Sequence, residues 1–120
     1  MEAHYYEVTI NWSQDRKGFM CSPDILEALG EKGCIEVVTP PQFNKGIPGI
    51  WSHEHLFTAA VSSCLMTTFL VIAEASKLEF TGFQCASKGK LEQVDSKFLM
   101  TEVILEPTVT IVHEQDRERA

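Results

Sequence analysis

The stretch WSHEHLFTAAVSSCLMTTFLVIAEASK, residues 51–77, decides the fold. Ser52 stands where a hydroxyl caps a helix N-terminus, and Glu54 puts a negative charge in the first turn, where it suits the helix dipole. From there to about Lys77 the helix is apolar on most of its circumference. Thr58, Ser62, Ser63, Thr67, Thr68 and Glu74 interrupt the apolar run of residues 56–75, which makes it a buried core helix rather than a membrane span. Such a helix must be covered on nearly every side. One small sheet covers a single side, so the pattern calls for either a second helix or a second subunit. Midway along it sits Cys64, placed there either for packing or for reaction.

Working outward, residues 4–12 alternate Tyr6, Val8, Ile10 and Trp12 against Tyr5, Glu7, Thr9 and Asn11, the period-2 pattern of a strand with one buried face. Polar residues 13–18 read as a hairpin turn, and residues 19–22 pair back as a short or edge strand limited by Pro23. Residues 34–39 (CIEVVT) form a further strand stopped by Pro40 and Pro41, and residues 42–50 form a loop carrying Gly46, Pro48 and Gly49. Beyond the helix, residues 83–94 and 98–112 make a long antiparallel pair joined around residues 95–97, with Pro107 marking a bend or bulge. The tail HEQDRERA, residues 113–120, is charged and lacks an apolar face, like the first turns of a helix whose body is missing. The expected class is α+β, antiparallel strands around one long apolar helix.

A chain of 120 residues is one small domain with a single modest core. Its formal net charge of -7 argues against a nucleic-acid partner, since phosphate binding needs a basic surface. The opening MEAHYYEV is no secretory signal, so a soluble protein of the cytoplasm, with no membrane partner, is expected. Cys21, Cys34, Cys64 and Cys85 contain no CxxC spacing, and in a chain without a signal peptide most of these thiols are expected to be reduced.

Few constellations of residues carry chemistry. Glycine-rich phosphate loops, the GxSxG elbow and HExxH are all absent. His53 and His55 point about 200° apart on a helix and read as solvent-exposed, as do the isolated His4 and His113, so no metal site is expected. Cysteine often serves as a small hydrophobe, and that reading suits Cys21, Cys34 and Cys85. Cys64 gains nothing from the dipole of its helix, whose effect is confined to the first turn, and apolar surroundings disfavour a thiolate. A reactive Cys64 therefore needs a cation from elsewhere. Arg117 and Arg119 lie in the tail, which leaves Arg16, with Lys17 beside it as the alternative.

The run from His53 to Cys64 resembles the central helix of the OsmC/Ohr family of thiol-dependent hydroperoxide reductases. In that family Pro-Glu-x-Leu-Phe-Ala-Ala leads to a peroxidatic cysteine ten residues after the Glu, the spacing of Glu54 and Cys64. An arginine followed by x-Gly in the first hairpin is matched by Arg16-Lys17-Gly18. The order of strands, helix and long hairpin is similar too, so the resemblance covers nearly the whole chain.

The resemblance implies an OsmC-like intertwined homodimer with active sites at the subunit interface and no cofactor. It implies a peroxidase that reduces organic hydroperoxides to alcohols in oxidative stress defence. Cys64 is the attacking thiolate that becomes a sulfenic acid, Arg16 stabilises it and orients the peroxide, and Glu54 holds Arg16. A dithiol, of lipoyl type for example, is the implied reductant. His53 replaces the family's proline at little cost, because proline at a helix start is favoured but not required. The family's resolving cysteine lies roughly sixty residues after the first, which would be past Ala120. A C-terminally incomplete domain, or resolution by another thiol, is the expectation. The alternative function is a non-catalytic OsmC-like module whose groove binds an apolar ligand or serves dimerisation.

Overall fold

The structure is a computed structural model that describes residues 2–25 and 33–118. Two compact units divide the chain, Met1–His53 and Glu54–Ala120.

The first unit is a three-stranded antiparallel sheet in the order β1 (Thr9–Gln14), β2 (Lys17–Cys21), β3 (Cys34–Val38). The strand expected from residue 4 begins five residues later, because its partner ends first: Thr9 faces Cys21, the last residue of β2. Pro23 prevents β2 from reaching further, so Tyr5 and Tyr6 remain outside the sheet and largely exposed. Val37 and Val38 are the buried apolar residues of this sheet. The loop after β3 is fastened to it by backbone bonds from Ile47 N–H to the Thr39 carbonyl (2.9 Å) and from Val38 N–H to the Trp51 carbonyl (3.0 Å).

Two cysteines depart from expectation here. Cys21 and Cys34, read above as reduced packing residues, form a disulfide. The cause is register: β2 and β3 pair so that Cys21 lies directly opposite Cys34, with Cα atoms 4.1 Å apart.

The second unit holds α1 (His53–Ala75), β4 (Phe80–Val94), β5 (Lys97–Ile111) and the 3-10 turn η1 (Glu114–Asp116). Ser52, immediately before α1, is fully buried. The other end stops in a Schellman arrangement. Leu78 N–H reaches back to the Ala73 carbonyl (2.9 Å), Lys77 N–H bonds the Glu74 carbonyl (3.2 Å), and Lys77 takes a left-handed φ of 56°. Ala73 and Leu78, the two residues this motif brings together, are both buried.

β4 and β5 form a two-stranded ribbon turned at Asp95 and Ser96. Both turn residues have positive φ, 49° and 69°, the turn whose twist matches paired strands. The irregularity expected at Pro107 lies elsewhere. Pro107 pairs in register with Cys85, and the register shifts fall between Phe80 and Gly82, where Thr81 is the extra residue, and between Lys90 and Leu91, where Thr101 is the extra residue between Glu102 and Met100. A two-stranded ribbon leaves half the amides of each strand unpaired, so a proline is accommodated without a bulge. At the bulge the Thr101 hydroxyl hydrogen-bonds the Glu92 carboxylate and, aided by Lys90, holds it below the ordinary glutamate range. The tail makes one 3-10 turn with an Arg117–Glu114 ion pair at 3.1 Å, and its last two residues lie outside the described residues.

Aromatic packing and one close approach dock α1 on the ribbon. The Phe69 ring lies 5.0 Å from Phe80, edge-on, and 5.0 Å from Phe83, stacked. Nearer the helix start, a Cβ on Gly89 would run into the Thr58 hydroxyl and stand 2.6 Å from Met100 Cε. Thr58 over Gly89 and Phe69 over Phe83 mean that helix and β4 run in opposite directions. Phe57, Met66, Leu70, Val71 and Ile72 are exposed on α1, and Ala73 is its buried residue. Among the described residues there is no second α-helix. The helix is also long and apolar enough to cross a membrane, judged by length and composition.

Candidate functional site

Three side chains were singled out for catalysis, one in the first unit and two in the second. Arg16 occupies the β1–β2 turn, and the turn is pinned on both sides. The Trp12 indole N–H donates to the Asp15 carbonyl (2.8 Å), the Ser13 hydroxyl to the Lys17 carbonyl (3.1 Å), and Thr39 N–H to the Arg16 carbonyl (3.0 Å). Asp15 is forced to a positive φ of 47°. The fixed backbone leaves the Arg16 residue exposed beside an open cleft of about 470 Å³, whose lining includes Trp12, Lys17, Val38, Thr39 and His53. Lys17 is 3.9 Å from Glu36, which partly neutralises it, so the guanidinium is the more available cation of the adjacent pair.

Cys64 is a free, exposed cysteine in the middle of α1. Its carbonyl accepts the Thr67 hydroxyl at 3.1 Å. Residues three, four and seven positions away, which share its helix face, are Phe57, Ala60, Val61, Thr67, Thr68 and Val71. No charged residue stands between His55 and Glu74, so no charge within this helix acts on the thiol at close range. Glu54 lies in the first turn, half-buried, with Oε1 out of solvent and its carbonyl accepting the Thr58 hydroxyl at 2.9 Å. Ten helical residues separate Glu54 from Cys64 by about 15 Å along the axis, too far for direct contact.

The other cysteines sort themselves clearly. Cys85, half-buried on β4, is free, and its sulfur is 4.0 Å from the Ser87 hydroxyl. Cys21 and Cys34 are joined and line a second open cavity of about 420 Å³. The sequence held the signal for that pair: two short strands predicted around an antiparallel turn-back, with a cysteine at the end of one and the start of the next. His53, His55, His4 and His113 are exposed as expected, and His113 Nε2 lies 3.2 Å from Glu79 Oε2.

What the arrangement can do chemically is limited by what it presents. An accessible thiol on an uncharged helix face suits attack on an electrophile with an apolar body, once a cation favours the thiolate.

No protein-family model matches the chain, and no curated protein matches it. Solved structures do. An OsmC-like protein of unknown function from Vibrio cholerae superposes with a TM-score of 0.79 at 19% identity, covering 98% of this chain and 84% of that one. A putative osmotic stress induced and detoxification response protein from Psychrobacter arcticus superposes with a TM-score of 0.71 at 13% identity, covering 99% and 80%. At such identities the likeness is one of fold. The chain has the OsmC-like fold, α+β, with antiparallel strands and one long helix.

Proposed function

We propose that the protein is a cysteine-based peroxidase that reduces organic hydroperoxides to alcohols and works as an intertwined homodimer. The observation that carries this reading is the free, exposed thiol of Cys64 on the stretch of α1 between His55 and Glu74 that carries no charge, in an OsmC-like fold. The Cys64 thiolate attacks one peroxide oxygen, the O–O bond breaks, and the leaving alkoxide takes a proton to become the alcohol, leaving a sulfenic acid. A dithiol then restores the thiol, releasing water and an intramolecular disulfide of the reductant. Arg16 supplies the positive charge that favours thiolate, and Glu54 orients it.

The helix face supports a preference for organic hydroperoxides. Phe57, Val61 and Val71 offer apolar surface to an alkyl or aryl group, whereas hydrogen peroxide gains nothing there. The exposed apolar side chains of α1 support a dimer, since water is a poor neighbour for five large apolar residues on one helix.

Turnover tests the proposal. Cumene hydroperoxide consumption with dithiothreitol as reductant should be lost in Cys64→Ser and fall at least about tenfold in Arg16→Ala. Hydrogen peroxide should be consumed more slowly than cumene hydroperoxide. Slow, substoichiometric peroxide loss, the same in wild type and Cys64→Ser, would instead favour a binding module.

A further inference from the structure

Arg16 stands between two clefts of the first unit. One, of about 470 Å³, has Ile10, Trp12, Val37 and Val38 in its lining, and the other, of about 540 Å³, is lined among the described residues by Asp15, Arg16, Lys45 and Ile47. Asp15 and Arg16 are common to both linings. All lie in the unit Met1–His53, at the end of the sheet where Lys17 faces Val38.

Backbone bonds fix both walls. The Thr39 N–H donates to the Arg16 carbonyl at 3.0 Å and the Thr39 carbonyl accepts the Ile47 N–H at 2.9 Å, so the β1–β2 turn and the loop carrying Lys45 hang on one residue. Within that loop the Phe43 N–H bonds the Pro40 carbonyl (3.0 Å) and the Gly46 N–H bonds the Phe43 carbonyl (2.9 Å), with Lys45 between them at a φ of 62°. The backbone of both cations is thus set before a ligand arrives, which lowers the cost of binding one.

The Trp12 side chain is exposed and nevertheless held. Trp12 is 76% exposed, and Ile10, which shares its face of β1, is 63% exposed. The indole N–H donates to the Asp15 carbonyl at 2.8 Å, which orients the ring. A large ring kept in water in one orientation, in a cleft that a guanidinium also lines, is a platform for a flat, partly apolar partner.

Charge sets the sign and size of that partner. Among the described residues neither Arg16 nor Lys45 is in an ion pair. Lys17 is 3.9 Å from Glu36, and Asp15 is the carboxylate among the described lining residues of both clefts. The cations Arg16, Lys17 and Lys45 set against Asp15 and Glu36 leave one positive charge uncompensated, on a chain whose formal net charge is -7. That excess suits a monoanion rather than a phosphate dianion. His53, exposed in the lining of the first cleft, adds to it when protonated. The planar fork of a guanidinium matches a carboxylate through two parallel hydrogen bonds.

We propose that the paired clefts around Arg16 bind a small planar aryl carboxylate, its carboxylate held by Arg16 and Lys45 and its ring laid against Trp12. Arg16 is also the cation proposed for the Cys64 thiolate, so the test reads binding rather than turnover.

The native full-length chain with isotope-labelled tryptophan gives an indole N–H signal for each of its two tryptophans, and Trp12→Phe identifies the one from Trp12. Benzoate should move that signal saturably, with a Kd of about 1 mM, and equally in Cys64→Ser. The uncharged isostere benzamide should bind at least about tenfold more weakly, and the non-planar cyclohexanecarboxylate about threefold more weakly. Lys45→Gln should weaken benzoate about threefold, and Arg16→Lys, which keeps the charge and loses the fork, about tenfold. A Trp12 signal that stays in place with benzoate at about 10 mM would overturn the site. Equal affinity for benzamide would overturn recognition of the carboxylate, and equal affinity for cyclohexanecarboxylate would overturn recognition of the ring. Benzoate affinity unchanged in both Arg16→Lys and Lys45→Gln would overturn the assignment of these two residues. Since binding is read in Cys64→Ser as well, failure of the peroxidase reading leaves this result standing.

Discussion

Removing the Cys21–Cys34 bridge tests how the first unit is held together. The bridge closes a loop with a sequence separation of 13 residues. Chain-entropy theory assigns a loop of that size about 10 cal/mol/K, or about 3 kcal/mol at 25 °C. For 120 residues, at about 2.1 cal/mol/K per residue, the unfolding entropy is about 0.25 kcal/mol/K, so the Tm should fall by about 12 °C. With an m-value near 2 kcal/mol/M, the urea midpoint should fall by about 1.5 M. The comparison is oxidised wild type against the double variant Cys21→Ser, Cys34→Ser at one protein concentration, followed by far-UV circular dichroism. Wild type in dithiothreitol should match the variant. Midpoints that coincide within about 0.3 M would refute the reasoning, because the bridge would then add nothing to what strand pairing already secures.

Three further perturbations probe the second unit. Phe69→Ala removes two ring contacts and leaves a gap between α1 and β4, and should cost about 2–4 kcal/mol by urea unfolding. Gly89→Val inserts a side chain where Thr58 and Met100 already stand, and should cost about 1–3 kcal/mol while weakening the helix–ribbon contact in hydrogen exchange. Glu92 titrates below its ordinary value of 4.5 in the folded chain. Its contribution to stability is therefore present above that value and lost as pH falls through the lower, folded value. Side-chain NMR should show Glu92 moving back up in Thr101→Val, whose hydroxyl is the chief cause of the shift.

Much of the fold was legible because local rules and tertiary structure agree. The helix announced itself through Ser52, Glu54 and a long, mostly apolar run, and α1 begins at His53. Alternation along residues 101–106 located β5, whose Val103 and Leu105 are the more buried face and whose Glu102, Ile104 and Glu106 are exposed. What stayed hidden depends on pairing between distant segments. The start of β1 is set by where β2 ends, the disulfide by the β2–β3 register, and the bulge at Thr101 by strand partners rather than by the proline that drew notice. The Schellman stop at Lys77 also lacked its usual glycine. Of the candidate site, the sequence nominated Arg16, Glu54 and Cys64, while the pinning of the Arg16 turn by Trp12, Ser13 and Thr39 emerges only from the fold.

The central claim is that Cys64 reacts with hydroperoxides. One equivalent of cumene hydroperoxide added to the protein in the presence of dimedone, followed by peptide mass analysis, tests it most directly. A stoichiometric dimedone adduct on Cys64 is expected, formed within the time in which the peroxide disappears and missing in Cys64→Ser. An unmodified Cys64 alongside intact peroxide would contradict it.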